Sequence, residues 1–279
     1  TNNPVQINVP GSINNAQTGL NVDKDYYVTN LGLLKERTTT TTTTNSNISS
    51  SNGDKFADVF SYTRDISVAY DTVNNKIGIL YVATSTNYPT IVIAEESNNA
   101  LTYGTPVVVN SQTSYNGNAG QKLVYGNGVF VMCYSWESYP IYLKAGVYSG
   151  TNSITLGSQI QPDTGTGYLS NATIGYNPNA NKFVYIFPVA NTSSINVYLI
   201  TNSGTTLTTG NSATITMGYN SNNRVISNLY DPDTNKQVIM TDHLYGNEGR
   251  IYQATISGAN ITVPSFPYKW SVIITCLFV

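Results

Sequence analysis

Ile66-Ser-Val-Ala-Tyr70-Asp-Thr-Val-Asn-Asn-Lys76-Ile-Gly-Ile-Leu-Tyr81 reads as a strand ending in Tyr, a polar turn and a second apolar strand. The same phrase returns as Ala172-Thr-Ile-Gly-Tyr176-Asn-Pro-Asn-Ala-Asn-Lys182-Phe-Val-Tyr-Ile186 and as Val225-Ile-Ser-Asn-Leu-Tyr230-Asp-Pro-Asp-Thr-Asn-Lys236-Gln-Val-Ile-Met240. A copy with a shorter turn and no Asp-Pro lies between them, Gln121-Lys-Leu-Val-Tyr125-Gly-Asn-Gly-Val-Phe-Val-Met132. The shared Tyr falls at 70, 125, 176 and 230, so successive copies are 55, 51 and 54 residues apart. A period near 50 residues is the signature of a propeller-like array.

Outward from the turn, each copy continues in the same order. Third strands read Thr90-Ile-Val-Ile-Ala94, Ile141-Tyr-Leu-Lys-Ala-Gly-Val147, Ile195-Asn-Val-Tyr-Leu-Ile200 and Arg250-Ile-Tyr-Gln-Ala-Thr-Ile256. Fourth strands follow a shared threonine phrase: Ala100-Leu-Thr-Tyr-Gly-Thr105, Ser153-Ile-Thr-Leu-Gly-Ser158, Thr206-Leu-Thr-Thr-Gly-Asn211 and Asn260-Ile-Thr-Val263. Each unit is therefore expected to be a four-stranded antiparallel meander, with Asn or Gly supplying positive φ at the tight connections. One meander cannot bury both of its partly apolar faces, so neighbours must cover each other. After the fourth unit, Trp270-Ser-Val-Ile-Ile-Thr-Cys-Leu-Phe-Val279 reads as the first strand of a fifth, its sheet completed by the N-terminal region, including residues 55–62, or by another subunit.

Composition agrees with an all-β chain. Charged residues make up 10% of the 279, against roughly a quarter in ordinary soluble proteins, and 22 residues are Tyr. Asn, Thr and Ser supply the polarity, and these side chains compete with helical backbone hydrogen bonds. Thirteen basic against fifteen acidic residues leave a net charge of −2, so no basic footprint for nucleic acid exists. The run 270–279 is short of the roughly 20 residues of a membrane helix, so no membrane insertion is expected. The reading divides the chain into a small β module at 1–37, a Thr/Ser/Asn-rich linker at 38–53 and the repeat array at 54–279. Within the module, Val5-Gln-Ile-Asn-Val-Pro10 alternates as a half-buried strand and residues 25–34 read as paired strands.

The segments Val5-Gln-Ile-Asn-Val-Pro-Gly-Ser-Ile13, Thr18-Gly-Leu-Asn-Val-Asp-Lys-Asp-Tyr-Tyr-Val28 and Asn30-Leu-Gly-Leu-Leu34 resemble a small β module of phage tail-fibre and other virion structural proteins. The Tyr-Asp-Pro-x-x-x-Lys repeats also resemble those of phage tail and appendage proteins. The resemblance implies a virion component, a homo-oligomer with other virion or filament subunits as partners, acting in assembly and in attachment to host-surface glycan. A subunit of an extracellular filament or surface layer, joined by strand addition, is the alternative. A glycan-degrading propeller enzyme comes third.

Chemistry-bearing residues are sparse. The single His243 beside Asp242 has no Gly-x-Ser-x-Gly elbow and reads as a loop His. Only four Arg are present, and the repeated turns lack the Asp and Trp of sialidase-type turns. A two-carboxylate glycosidase needs carboxyl groups about 5 to 10 Å apart. Candidates are Asp65, Asp71, Glu137, Asp231 and Asp242, of which Asp71 and Asp231 are better explained as Asx-turn residues. Glu95-Glu96 reads as a solvated loop. Cys133 and Cys276 fall in apolar strands as free thiols, and neither a metal nor a cofactor is indicated.

Binding is the more economical expectation. Sugars combine flat apolar faces with hydroxyl groups, so a site for them pairs aromatic platforms with amides or carboxylates. Trp136, Glu137 and Tyr139 supply such a set between the second and third strands of the second unit. Tyr245 in the fourth unit and Tyr88 in the first occupy the equivalent loop.

Overall fold

The computed structural model describes residues 26–28, 34–36, 56–58, 66–97, 100–112, 121–135, 140–150, 152–164, 172–189, 192, 194–216, 223–243 and 248–264. The chain divides into two compact units, Thr1–Gly53 and Asp54–Val279. In the first, strands β1 (Tyr26–Val28) and β2 (Leu34–Glu36) pair antiparallel, with Tyr27 opposite Lys35. The strand expected at Val5–Pro10, the linker at 38–53 and the terminal strand at 270–279 lie outside the described residues.

The second unit is all-β, with no helix among the described residues, and is built as four antiparallel meanders. Sheet 1 holds β3 (Ser67–Asp71), β4 (Lys76–Val82), β5 (Pro89–Ser97) and β6 (Ala100–Tyr103), plus a short β7 (Val107–Val108) that also pairs with β5. Sheet 2 holds β8 (Lys122–Gly126), β9 (Val129–Tyr134), β10 (Tyr142–Tyr148) and β11 (Ile154–Ile160). Sheet 3 holds β12 (Thr173–Asn177), β13 (Lys182–Pro188), β14 (Ser194–Ser203) and β15 (Thr206–Thr216). Sheet 4 holds β16 (Asn223–Asp231), β17 (Lys236–His243), β18 (Glu248–Ser257) and β19 (Asn260–Thr262). First strands pack in succession, β3 on β8, β8 on β12 and β12 on β16, as the inner strands of a propeller do.

The repeated turn explains the repeated letters. Asn75, Asn181 and Asn235 all hold φ between 52° and 56°, a left-handed conformation that Asn tolerates. Their side-chain carbonyls accept the hydroxyl of the Tyr five residues earlier: Tyr70 on Asn75, Tyr176 on Asn181 at 2.8 Å and Tyr230 on Asn235 at 3.2 Å. Asp71 Oδ1 accepts the Val73 and Asn74 N–H groups at 2.9 and 3.0 Å, and Asp231 Oδ1 accepts that of Asp233 at 3.0 Å. Both carboxylates therefore do the Asx-turn work expected of them. In the shorter second copy, Asn127 and Gly128 carry φ of 46° and 77°, a two-residue connection with both central residues left-handed.

Alternation along the second strands sets the packing. Val129, Val131 and Cys133 of β9 join Phe183, Tyr185 and Phe187 of β13 in one core. Phe130, Met132 and Tyr134, on the opposite face of β9, meet Leu80, Ile91 and Ile93 of sheet 1. Val184 and Ile186, the other face of β13, meet Ile239, Tyr252 and Ala254 of sheet 4. All six residues of β9 are buried, so it reads as an unbroken apolar run, and each large side chain contributes about 1.5–3 kcal/mol by leaving water. Cys133 is a free, wholly buried thiol, its pKa pushed up to about 12 by burial.

A second recurring contact lies at the outer strands. A Cβ added to Gly104 would stand 1.7 Å from the Asn152 carbonyl oxygen, and one added to Gly157 would stand 2.2 Å from that of Thr205. In both cases the turn between the third and fourth strands of the next sheet presses its backbone onto a fourth-strand glycine. Side-chain amides extend the register: Asn127 donates to Asn202 at 2.9 Å and Asn211 to Asn260 at 2.8 Å.

Two local expectations are corrected. Glu95 and Glu96 lie within β5, not in a loop, and Glu95 pairs with Lys76 at 2.6 Å because the strand register sets them opposite each other. His243 ends strand β17 opposite Glu248, because the β17–β18 ladder runs to its last residue.

Gly104→Ala and Gly157→Ala are expected to lower the unfolding free energy by about 1–3 kcal/mol each in urea titration, since backbone must move to admit the methyl group. Thr155→Ala, exposed on the same strand as Gly157, should stay within about 0.5 kcal/mol.

Candidate functional site

Successive strands in a meander run oppositely, so every first-to-second and third-to-fourth turn lies at one end of the array. The Asn127–Asn202 bond joins two such turns. At the opposite end, the loops between second and third strands meet the connections that lead from one sheet to the next. Lys144, near the start of β10, donates to the Val109 carbonyl of the preceding connection at 2.6 Å, which ties these two sets of loops together. This second end is the candidate site.

Its first loop, in sheet 1, is a tight turn. Asn87 N–H donates to the Ala83 carbonyl at 2.8 Å, Ala83 N–H to the Tyr88 carbonyl at 3.1 Å, and Asn87 adopts φ of 58°. Tyr88 stands on this turn, half-buried, with its N–H donating to Thr86 Oγ1 at 3.2 Å. Sheet 2 brings Tyr134 to the same end, where its hydroxyl donates to Gln159 Oε1 at 2.8 Å and Asn110 Nδ2 donates to the same oxygen at 2.9 Å. Tyr142 stacks on Tyr134 with ring centroids 6.1 Å apart. In sheet 3, Asp163 Oδ2 accepts Tyr198 Oη at 2.7 Å and Asn196 Nδ2 at 2.9 Å. Burial, reinforced by Asp163, raises the pKa of Tyr198 above the ordinary phenol value, and burial lowers that of Lys144. Between sheets 2 and 3 the described part of this end thus carries neutral hydrogen-bonding groups, the Lys144 ammonium and the Asp163 carboxylate, which is held by neutral donors.

Gln121 is the anomaly. Its side chain is fully buried one residue before β8, and among the described residues neither Oε1 nor Nε2 has a hydrogen-bond partner. Register sets Lys122 opposite Cys133, so Gln121 stands level with Tyr134 where β9 leaves the sheet towards residues 136–139. An unpaired buried amide costs about 1–3 kcal/mol. No motif announces this residue: it is a Gln before an apolar strand.

Of the binding residues expected from sequence, Tyr88 is described and lies on this end. Trp136, Glu137, Tyr139 and Tyr245 fall outside the described residues; Ser135, just before the first three, is buried. Of the glycosidase carboxylates, Asp242 lies in β17 opposite Gly249, next to the loop of sheet 4 at this end. Asp71 and Asp231 hold turns at the opposite end, in sheets 1 and 4. Glu137 and Asp65 are outside the described residues. Among the described residues no group of three or more His, Cys, Asp or Glu could hold a metal ion, and no helix is long and apolar enough to cross a membrane.

No family model matches the chain, and no curated protein matches it. Among solved structures it is similar to a protein from Lactobacillus plantarum with a β-propeller fold, at a TM-score of 0.51 and 11% identity. The match covers 74% of this chain and 57% of that one, so the chain spans little more than half the length of this structural relative. At that identity the likeness shows the fold alone, a propeller-like array.

Gln121→Met, which keeps the shape and removes the orphaned amide, is expected to raise the unfolding free energy by about 1–2 kcal/mol. Asp71 provides a pH test at the other end. Burial works against its carboxylate but is outweighed by the hydrogen bonds it accepts from Asn74 and Val73, which hold its pKa below the ordinary value. The stabilisation is present above the unfolded-state pKa and is lost as pH falls through the lower folded-state one. Asp71→Asn should therefore flatten the loss of stability below about pH 4 in acid titrations followed by circular dichroism.

Proposed function

We propose that the chain is a non-enzymatic structural and attachment protein of an extracellular particle, a virion tail-fibre or appendage component, that holds host-surface glycan on the loop end of its propeller-like array. The supporting observation is the placement of the second-to-third strand loops. In sheets 1, 2 and 4 the second and third strands end next to the sequence segments that carry Tyr88, Trp136 to Tyr139 and Tyr245, which supports this reading. Loops on a rigid β scaffold are free to vary without disturbing the seams, and so they are where recognition is built.

The chemistry of that end suits a neutral polyhydroxylated ligand. Tyrosine rings give flat faces for the C–H side of a sugar, while amides such as those of Asn110 and Gln159 match hydroxyl groups. Low charge fits this reading: a surface of Asn, Thr and Ser exchanges hydrogen bonds with sugar at little desolvation cost compared with ions. Single contacts of this type are weak, and attachment strength comes from several copies acting together in a homo-oligomer. The assignment to a virion rests on the resemblance of the N-terminal segments and of the repeats.

Glycan-array screening of the multimerised protein is expected to give binding without turnover. Trp136→Ala and Tyr88→Ala should each weaken it by about tenfold or more, ~1.4 kcal/mol. Release of shortened glycan, abolished in Glu137→Gln, would replace this reading with an enzymatic one.

A further inference from the structure

Among the described residues three seams join four sheets, and none of these covers the second face of sheet 4. Leu229 of β16 and Ile251 of β18 are 47% and 57% exposed there, in a unit whose seams otherwise bury such side chains almost completely. Register places them with others of their kind: Leu229 opposes Val238, and Ile251 opposes Met240. Residues that alternate with them, Ile239, Tyr252 and Ala254, are packed against sheet 3. The free face is thus the counterpart of the faces that form the three existing seams.

We propose that this face is covered by the apolar segment Trp270–Val279 of the same chain, set against β16 as a fifth inner strand. The chain supplies this strand where the repeat requires it. Inner strands begin at Ser67, Lys122, Thr173 and Asn223, 55, 51 and 50 residues apart, and another step of that size lands at 273–278. The connection is long enough, because six residues carry the chain from β15 to β16 and seven separate β19 from Trp270. Each existing inner strand packs on the next, so a strand here continues an established contact.

A second copy of the chain is the competing occupant, and the short tether argues against it. Seven residues link β19 to Trp270, so this segment is tethered beside the face within one chain, whereas a second copy reaches it only by diffusion.

The two cysteines make the inference testable on the full chain. Cys276 lies in the proposed strand, and buried Cys133 reports whether the core is intact. In the native protein, Cys276 is expected to react with maleimide at least about tenfold more slowly than a free thiol, since labelling must await local opening. Leu229→Asp should abolish that protection while Cys133 stays unreactive. Rapid labelling of Cys276 in the native chain, or protection untouched by Leu229→Asp, overturns the proposal. Protection that appears only at concentrations where light scattering reports a dimer overturns it too, in favour of a second copy. If Leu229→Asp unfolds the protein, shown by Cys133 reacting, the variant Leu229→Cys decides. A flexible bis-maleimide should then link residues 229 and 276 within one chain, and a cross-link formed only between chains, or none, rejects the assignment.

Discussion

Two-sided burial is the constraint on which everything else in the array depends. A four-stranded meander with Phe130 and Met132 on one face and Val131 and Cys133 on the other has no side to turn to water. Such a sheet is stable only between two others. The repeats are therefore cooperative neighbours, and their order along the chain is also their order in space, because each connection leads directly to the adjacent sheet. The aromatic side chains of β13 make the asymmetry of each seam visible: Phe183, Tyr185 and Phe187 all point one way, Val184 and Ile186 the other.

Apolar contact alone does not set how far one sheet slides on the next. That register comes from polar and steric detail at the rims. Backbone seated on Gly104 and Gly157, amide pairs such as Asn127 with Asn202, and the Asn228 side chain donating to the Val184 carbonyl at 2.7 Å act as stops. A chain with few charges can afford such stops only through neutral groups, which explains why Asn recurs in turns and between sheets. Asn in the left-handed conformation at 75, 181 and 235 does the work of glycine while keeping a side chain that binds Tyr.

The loop end was only partly legible. Tyr88 could be placed because a loop between two well-marked strands has one possible end of the sheet to occupy. The Tyr134–Gln159–Asn110 group and the Asp163–Tyr198–Asn196 group could not, since each joins residues tens of positions apart. Gln121 was hidden for another reason: its character lies in having no partner, and absence of a partner is a property of surroundings. Glu95 was misread because the pattern of β5 extends further than its apolar core. Lys76 on the neighbouring strand makes a charged residue acceptable there.

Fold class, the number of complete units and the turn chemistry were determined by sequence alone. Each rests on interactions among residues close along the chain: alternation with a period of two, the Asx turn from Asp71 to Asn74, and the Tyr-to-Asn span of five residues. Tertiary structure alone decided which face of each strand meets which neighbour, why fourth-strand glycines recur, and which amides converge at the loop end. These depend on the distance between sheets, and that distance is set by how side chains from units some fifty residues apart interlock, which no local pattern encodes.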